Sequence, residues 1–591
     1  MEAPPEKPEQ PAQVARKKGG LRTMPFIIAN ESFEKVAGYG LLANMILYLM
    51  SEYHFSAASG ANILFLWNAA SNFTPMLGAF LSDSYLGRFL VIALGSLISF
   101  LGITMLWSTA FFRNTRPPAC DILKEHCLPS TIAQRVLLYC SFIVMSIGAG
   151  GIRPCSIAFG ADQIDNPEDP KNQLVLQSFF NWYYASVGIS VMLSVTVIVY
   201  IQDKAGWVIG FGVPLGLLFL AAVLFLIGSP FYVKVKGNKS LFTGFAQVVA
   251  AAFKNRRLAL PPKNSECDGQ YYHGKDSKVI APTERLRFIN KACLIRSPEK
   301  DLDSNGLAID PWKLCTVKQV EALKALIKVL PIWSTGIMAA VNINQSFPVI
   351  QVSSMDRRFI GSLKIPAGSF SVFGLLTLTI WVAIYDRILA PFLAGLTGHP
   401  RGLSLKQRMG IGLVLTTVAM AVSALVERKR RALAIYEGFA NNPRGVTTMT
   451  AMWAVPQHCL LGLAEAFNAI GQIEFYYSQF TKDMSSIAVA LIMFGMGVGG
   501  LAGSLIVTIV DKVTKRGGNV SWVDSNVNKG HYDYYYWVLT CMSLINFLYY
   551  LVCSWAYGSC EESNIWSDED RDANEEETDR KHNGTPTLSH V

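Results

Sequence analysis

The sequence predicts an all-α membrane protein with about twelve spanning helices in two bundles of six. Three observations support this fold class. The chain of 591 residues is 51% hydrophobic and only 16% charged, which is too apolar for an ordinary soluble protein. Apolar runs of about 20 residues, the length that crosses about 30 Å of hydrocarbon, recur along the chain. One long polar segment divides these runs into two groups.

The first bundle is predicted over residues 24–228, after a cytosolic N-terminal tail of residues 1–23. Basic residues precede its first span, and the loop that follows that span has no Lys or Arg, which predicts a cytosolic N-terminus. The six predicted spans are Met24–Met50, Ala61–Leu81, Phe89–Phe111, Ile132–Phe159, Ser178–Ile201 and Trp207–Gly228.

The second bundle is predicted over residues 319–556, after a cytosolic linker of residues 229–318 that contains one amphipathic stretch, Phe242–Phe253. An acidic tail, residues 557–591, is predicted to be cytosolic and disordered. Six spans in each bundle return both termini to the cytosol. The second six spans are Val320–Phe347, Pro366–Tyr385, Met409–Val426, Ala451–Glu474, Ile487–Val510 and Tyr534–Trp555.

Two loops on the predicted outer side carry unusual residues, a basic run in one and two cysteines in the other. The run Glu427-Arg428-Lys429-Arg430-Arg431 is an exception to the rule that basic loops are cytosolic. Cys120 and Cys127 share another outer loop, where a disulfide is an open alternative that requires an oxidising exterior. The cysteines have no metal-ligand spacing, and we predict neither a metal nor a cofactor. The net charge of +9 lies mostly in connecting loops, so it indicates topology and no nucleic-acid partner.

Three ionisable residues interrupt the first apolar run. Glu31, Glu34 and Lys35 fall on one face of a helix with about 3.6 residues per turn. Such a patch must face a bundle interior or a water-filled cavity, where ionisable residues usually bind protons or substrate. A purely structural ion pair is the alternative, but it needs one acid and this patch has two. The surplus carboxylate predicts a proton site.

Acid and base residues also recur at equivalent places in the two predicted bundles. Asp83 and Arg88 lie in the loop between spans two and three, and Asp386-Arg387 follows span eight. We interpret both as gating pairs that change partners when the spans move, as in an internally duplicated transporter. Two unrelated charged turns are the alternative.

The order of five motifs resembles the plant nitrate and peptide transporter family, the plant branch of the proton-dependent oligopeptide transporters in the major facilitator superfamily. The resemblance covers roughly residues 20–558. The motifs are Glu31-Ser32-Phe33-Glu34-Lys35, the loop with Asp83 and Arg88, Gly148-Ala149-Gly150-Gly151-Ile152-Arg153-Pro154 with Phe159-Gly160-Ala161-Asp162-Gln163, Phe180-Asn181-Trp182-Tyr183-Tyr184, and Gly471-Gln472-Ile473-Glu474-Phe475.

The resemblance implies the major facilitator fold and proton-coupled symport by alternating access. It assigns proton coupling to Glu31, Glu34 and Lys35, and the basic residue of the fourth span to Arg153. It assigns the acidic partner of Arg153 to Glu465 in the tenth span. Glu474 is the competitor, but nine residues further along a helix it lies on roughly the opposite face.

The residues themselves support a binding role for this region. A lone Arg153 in an apolar helix needs a partner or an anionic ligand, because an unpaired buried charge is costly; a purely structural bridge to Glu465 is the alternative. Tyr39, Asn181 and Tyr183 are polar groups on spans that could line a cavity, with aromatic packing as the alternative. We also predict substrate contacts from two polar residues of span seven, Asn342 and Gln345.

The sequence therefore predicts a multi-pass transporter, in the plasma membrane, of protons and a small anion, with nitrate at low affinity as the first candidate. Some nitrate-carrying members of the family use a histidine in span seven, where this chain has Ile343. The alanines beside it, Ala339 and Ala340, predict a roomy, partly apolar cavity, which favours larger organic anions as the alternative. Candidates are a gibberellin, a jasmonate conjugate or a glucosinolate-like metabolite, and di- and tripeptides rank behind them.

Two further classes were weighed against transport. A membrane-embedded enzyme usually needs a catalytic His or paired acids near one membrane face, and no such set stands out in this sequence, so we predict no enzyme. A sensor that binds a substrate but moves little of it stays open, as does the oligomeric state.

Overall fold

The computed structural model describes the chain in ten segments. Residues 1–17 and 559–591, which belong to the two predicted tails, lie outside these segments. The described residues are 18–120, 127–165, 172–235, 241–261, 270–274, 281–304, 306–361, 363–397, 402–480 and 484–558. The first half of the chain is helical. Its helices are α1 (Met24–Ser51), α2 (Ala57–Leu81), α3 (Arg88–Phe111), α4 (Ile132–Ile164), α5 (Asn172–Leu193) and α6 (Val199–Ile227).

The second half repeats this organisation after the linker. The linker contains α7 (Leu241–Lys254) and α8 (Pro298–Asp301). The helices that follow are α9 (Val317–Ile343), α10 (Phe347–Ser353), α11 (Ser371–Ile384), α12 (Ala390–Thr397), α13 (Leu405–Tyr436), α14 (Val455–Gln479), α15 (Ser485–Thr514) and α16 (Tyr532–Tyr557). Two short sheets lie between them: β1 (Met355–Asp356) pairs in parallel with β4 (Thr447–Thr450), and β2 (Arg358–Ile360) pairs antiparallel with β3 (Leu363–Lys364).

The described residues form twelve long helical segments, as the sequence predicts. Eight stretches are long and apolar enough to span a membrane, and one of them, Asn172–Phe231, has 60 residues and holds two spans. The two spans separate at Gly206, which lies within the range given for α6 and interrupts the helix there with a positive φ of 81°. The other three segments are α1, α2 and α14, which carry more polar or charged residues.

The turns with the predicted gating pairs have one feature in common. A π-helical turn covers Ser82–Leu86 at the end of α2, and another covers Tyr385–Leu389 at the end of α11. The first turn ends at Gly87, whose φ of 77° breaks the helix. The second continues directly into α12, so the helix runs from Ala367 to Leu396. The expectation that Asp386-Arg387 follows the eighth span was therefore wrong, because no glycine ends the helix there.

The described parts of the linker are folded and pack on the start of α9. Helix α7 agrees with the predicted amphipathic stretch, and its Val248 and Ala251 belong to a buried cluster with Cys293 of the linker and Val320 of α9. Asn255, only 1% exposed, donates to the main-chain oxygens of two further linker residues at 2.8 and 3.0 Å. The linker is thus a small packed unit attached to the second bundle.

The two bundles contact each other at one end. We call the end at which α6 ends and α9 begins the linker end, and the other the far end. Near the far end Asn62 donates to the Thr508 hydroxyl at 3.1 Å, and the Gly368 amide donates to the Asn44 side chain at 3.2 Å. Among the described residues, no hydrogen bond or ion pair joins the bundles at the linker end. The hydrogen bonds that join the described parts of the bundles therefore concentrate toward the far end.

Two arginines of the basic run that breaks the orientation rule are held by hydrogen bonds at the far end. Arg430 has no exposed surface and donates to both carboxylate oxygens of Glu427, at 2.9 and 2.7 Å. It also donates to the Asn528 side chain, and Arg431 donates to the Gly530 carbonyl at 2.8 Å. These arginines hold the loop before α16 against the end of α13. Cys120 and Cys127 form a disulfide at the same end, with Cα atoms 5.6 Å apart.

We expect Arg430→Ala to destabilise the protein, because removing one partner of a buried ion pair leaves the other charge uncompensated, at a cost of about 3–5 kcal/mol. The melting temperature of the purified protein in detergent measures the loss. Arg428→Ala is the matched control, since Arg428 belongs to the same run but is exposed. Equal melting temperatures for the two variants would contradict a structural role for Arg430.

Candidate functional site

Four charged side chains meet between α1 and α4. Arg153 donates from Nε and Nη2 to Oε1 of Glu34, at 3.1 and 2.9 Å. The Lys35 ammonium lies 3.1 Å from Glu31 and 3.7 Å from Glu34. Both glutamates are buried, with 2% and 4% of their surface exposed. The structure thus brings together the three patch residues and the arginine of the fourth span.

The charge count of this cluster differs from the sequence-based expectation. The patch of α1 alone has two acids and one base, but Arg153 supplies a second base, so no carboxylate is in surplus. Within the described part of the chain, Oε2 of Glu31 and Oε2 of Glu34 are nonetheless buried without a hydrogen-bond partner, although the Lys35 ammonium lies 3.7 Å from the Glu34 oxygen. Buried polar atoms without a partner are rare in native proteins. The proton site predicted from the sequence would lie at these two oxygens.

Close helix packing brings Arg153 to α1. A Cβ atom on Gly150 would lie 2.6 Å from Cβ of Thr74 on α2, and one on Gly151 would lie 2.8 Å from the Val91 carbonyl on α3. These glycines therefore let α4 approach α2 and α3 more closely than any larger residue allows. On its other side α1 is held by Gln202, which donates to the Gly40 carbonyl at 3.0 Å.

Two of the predicted cavity residues lie beside the charge cluster. Tyr183 is buried next to Glu31. Tyr39 is 43% exposed and is close enough to interact electrostatically with Arg153 and Lys35. Asn181 is exposed on α5 and makes no hydrogen bond to another described residue.

The structure does not form the expected pair between Arg153 and Glu465. Glu34 occupies the arginine, and Glu465 has no hydrogen bond or ion pair within the described part of the chain. Glu465 belongs to the other bundle, which contacts the first bundle mainly toward the far end. The competitor Glu474 accepts from Arg408 at 2.8 Å, so it belongs to a separate ion pair.

The two span-seven residues predicted to contact substrate make hydrogen bonds to α16 in this structure. Asn342 has no exposed surface and donates to the Ser543 hydroxyl on α16 at 2.8 Å. Gln345 accepts from the Tyr535 hydroxyl at 3.1 Å. Ala340 is also buried, and a Cβ atom on Gly499 of α15 would lie 2.6 Å from its methyl group. The small residues of α9 therefore allow close packing against α15, and they do not enlarge a cavity.

The gating pairs also differ from the prediction. Arg88 donates to both oxygens of Asp162 at 2.7 Å, whereas its Nε lies 3.9 Å from Asp83. Asp162 was quoted within a motif but given no role. Asp386 and Arg387 are exposed and form no ion pair within the described residues.

The two bundles do contain equivalent acid and base pairs, but these pairs are formed by other residues than predicted. Arg88 opens α3 and Asp162 lies near the end of α4; in the second bundle Arg408 lies near the start of α13 and Glu474 near the end of α14. The Arg408–Glu474 pair is thus the counterpart of Arg88–Asp162, at the linker end of both bundles. A sequence signal existed, since each acid lies in a motif at the end of its span.

Comparisons with known proteins agree with this architecture. Residues 89–523 match the sequence model of the POT family. Two Arabidopsis thaliana proteins are similar over 568 residues: Protein NRT1/PTR FAMILY 1.2 is 55% identical, covering 94% of this chain and 93% of its own length, and Protein NRT1/PTR FAMILY 1.1 is 54% identical, covering 94% and 96%.

Solved structures agree as well. The fold is similar to the crystal structure of an auto-inhibited POT family peptide transporter, with a TM-score of 0.66 at 19% identity, over 91% of this chain and 98% of that one. A second POT family transporter, crystallised in meso, has a TM-score of 0.65 at 16% identity over the same shares of the two chains. At such identities the likeness concerns the fold alone. It supports a twelve-helix major facilitator architecture.

We expect Asn342→Ala to lower the melting temperature without changing the half-saturating concentration of the transported solute, because the side-chain amide of Asn342 forms a hydrogen bond with α16. Ser543→Ala removes the same hydrogen bond, which is worth about 1 kcal/mol, so the double variant should lose little more than either single one. A raised half-saturating concentration with an unchanged melting temperature would return Asn342 to the substrate site.

Proposed function

The chain belongs to the POT family of transporters, and on that premise we propose that it is a proton-coupled symporter of anions that works by alternating access. The charge cluster between α1 and α4 carries the proposal, since it combines buried carboxylate oxygens that lack partners with an arginine suited to an anion. Arginine stays charged and offers a planar fork that matches oxyanions.

In this proposal the linker end faces the cytosol. The disulfide between Cys120 and Cys127 at the far end supports this orientation, because disulfides persist in oxidising compartments. The basic residues before α1 support it independently. The bundles, residues 24–228 and 319–556, are then the units that move. The plasma membrane is the proposed location.

Proton uptake releases the arginine. With two acids and two bases the cluster is neutral, and a proton on Glu34 removes the charge that holds Arg153. The freed guanidinium then needs an anion, because an unpaired buried charge costs several kcal/mol. The substrate anion is one candidate and Glu465 of the opposite bundle is the other. This exchange of partners couples proton binding to substrate binding and to closure of the bundles.

The membrane potential determines how many protons must accompany each anion. An anion that enters a cell with a negative interior opposes about 2.3 kcal/mol per charge per 100 mV. One proton neutralises that load, and a second makes entry electrically favourable. Glu31 and Glu34, each with one open oxygen, supply two proton positions.

Nitrate at low affinity is the first candidate substrate. Larger organic anions, such as a gibberellin, a jasmonate conjugate or a glucosinolate-like metabolite, are the second, and dipeptides rank behind them. One observation favours the second class: Gly38, which has no side chain, lies against the Arg153 guanidinium, and the exposed Tyr39 is the next residue on the helix. An organic acid can bury apolar area there, at about 25 cal/mol per Å², while its carboxylate meets the arginine.

We expect Glu34→Gln to abolish anion currents driven by an acidic exterior, because the amide neither takes up the proton nor holds Arg153 through a charge. Electrophysiology in expressing cells, with external pH and nitrate stepped independently, measures this. Glu52→Gln is the matched control at the end of the same helix, where Glu52 pairs with Arg116 at 2.6 Å.

Surface abundance of each variant is measured beside the current. Unchanged pH-dependent currents in Glu34→Gln would remove the cluster from the mechanism. Glu465→Ala should also cripple uptake, since Arg153 then lacks an acidic partner in the opposite bundle; wild-type uptake in that variant would exclude Glu465.

The substrate class is tested by competition. We expect labelled nitrate to enter with weak affinity, and bulky organic acids to compete for the same cavity, because they gain apolar contacts that a small hydrated anion lacks. Uptake of labelled nitrate against a panel of organic acids in expressing cells measures both. Micromolar nitrate affinity without competition from any organic acid would exclude the second class.

A further inference from the structure

One glycine of α1 adjoins the Arg153–Glu34 pair. Gly38 lies four residues after Glu34, one turn along the same face of the helix. A Cβ atom on Gly38 would lie 3.2 Å from Nη2 of Arg153 and 3.7 Å from Oε1 of Glu34. The first distance is tighter than an ordinary van der Waals contact, so any side chain at this position meets the guanidinium first.

The group that must move is the end of a flexible arginine side chain. A methyl group at position 38 therefore leaves the helices in place and displaces the guanidinium by a few tenths of an ångström. That displacement lengthens the two hydrogen bonds to Glu34, which measure 2.9 and 3.1 Å. Charge-assisted hydrogen bonds depend on such short distances and good alignment.

We propose that Gly38 is a positioning residue that sets the strength of the Arg153–Glu34 pair, and thereby the external pH at which transport is half-maximal. The inference rests on the proposed proton coupling. The other titratable or charged groups around Glu34 are Glu31, Lys35 and Tyr39 on α1 and Tyr183 on α5, and none of them meets the added methyl group before Arg153 does.

The direction of the effect follows from the charges. Arg153 stabilises the ionised form of Glu34, so a weaker pair lets the carboxylate take up a proton at higher pH. The midpoint of pH-dependent uptake then moves toward alkaline values. The folded state should otherwise remain intact, since alanine favours a helix more than glycine does.

The test compares Gly38→Ala with two matched glycine substitutions in spanning helices. Gly188 of α5 and Gly216 of α6 have no atom within 4 Å of an added Cβ, so Gly188→Ala and Gly216→Ala report the effect of helix propensity alone. Labelled nitrate uptake is measured over a range of external pH. We expect an alkaline shift of about half a pH unit for Gly38→Ala, from partial loss of one charged hydrogen bond, and no shift for the controls.

The same substitution in a second protein, which already carries a change at Arg153, separates the positioning role of Gly38 from a general structural effect. Arg153→Lys keeps the positive charge but removes the Nη2 atom that meets the methyl group. In that background Gly38→Ala should leave the midpoint of uptake unchanged. The same shift in both backgrounds would overturn the proposal, as would no shift in Gly38→Ala when the wild type and Glu34→Gln differ in their pH profiles.

A third measurement needs no transport. The melting temperature of the purified protein is followed against pH, and the part of this dependence that Glu34→Gln removes reports protonation of Glu34. We expect Gly38→Ala to move that part toward alkaline pH. If the wild type carries neither nitrate nor an organic anion, the proposed function fails while this readout still decides the role of Gly38. An unmoved melting profile would contradict that role.

Discussion

Burial of four charges between two helices is the constraint on which the first bundle depends. Glu31, Glu34, Lys35 and Arg153 are stable there only as a neutral set, because the desolvation of a single unpaired charge costs several kcal/mol. The glycines of α4 serve this set, since they let the helix pack closely enough for Arg153 to reach α1. The same neutrality gives the site its chemistry: one proton on either glutamate unbalances the charges and frees a cation for another partner.

Each bundle has an ion pair at an equivalent place. Arg88 and Asp162 join the start of α3 to the end of α4, and Arg408 and Glu474 join the start of α13 to the end of α14. Each pair ties two helices within its own bundle at the linker end. The contacts between the bundles occur near the far end. Each bundle is therefore braced internally at its linker end, which suits movement of the bundles as rigid bodies.

Charges that look anomalous in the sequence are explained by their partners. In the basic run after the ninth span, Arg430 is paired with an acid, whereas Arg428 and Lys429 are exposed. Arg430 is bonded to Glu427 and Asn528 and has no exposed surface, so it contributes to the packing of a loop. In the linker, the polar composition conceals a packed core that includes Val248, Cys293 and Val320, whose residues are too far apart in sequence to give a periodic signal.

The sequence by itself determined the twelve spans, the division into two bundles and the charged patch of α1, because span length and the cost of a charge in hydrocarbon are local properties of a helix. Only the tertiary structure decided which charges meet. Arg153 pairs with Glu34 and not with Glu465, Arg88 bonds Asp162 more closely than Asp83, and Asn342 turns toward Ser543. These partners lie on helices far apart in the chain, and their contacts depend on the rotation and approach of each helix, which close-packed glycines set and which a single helical pattern does not encode.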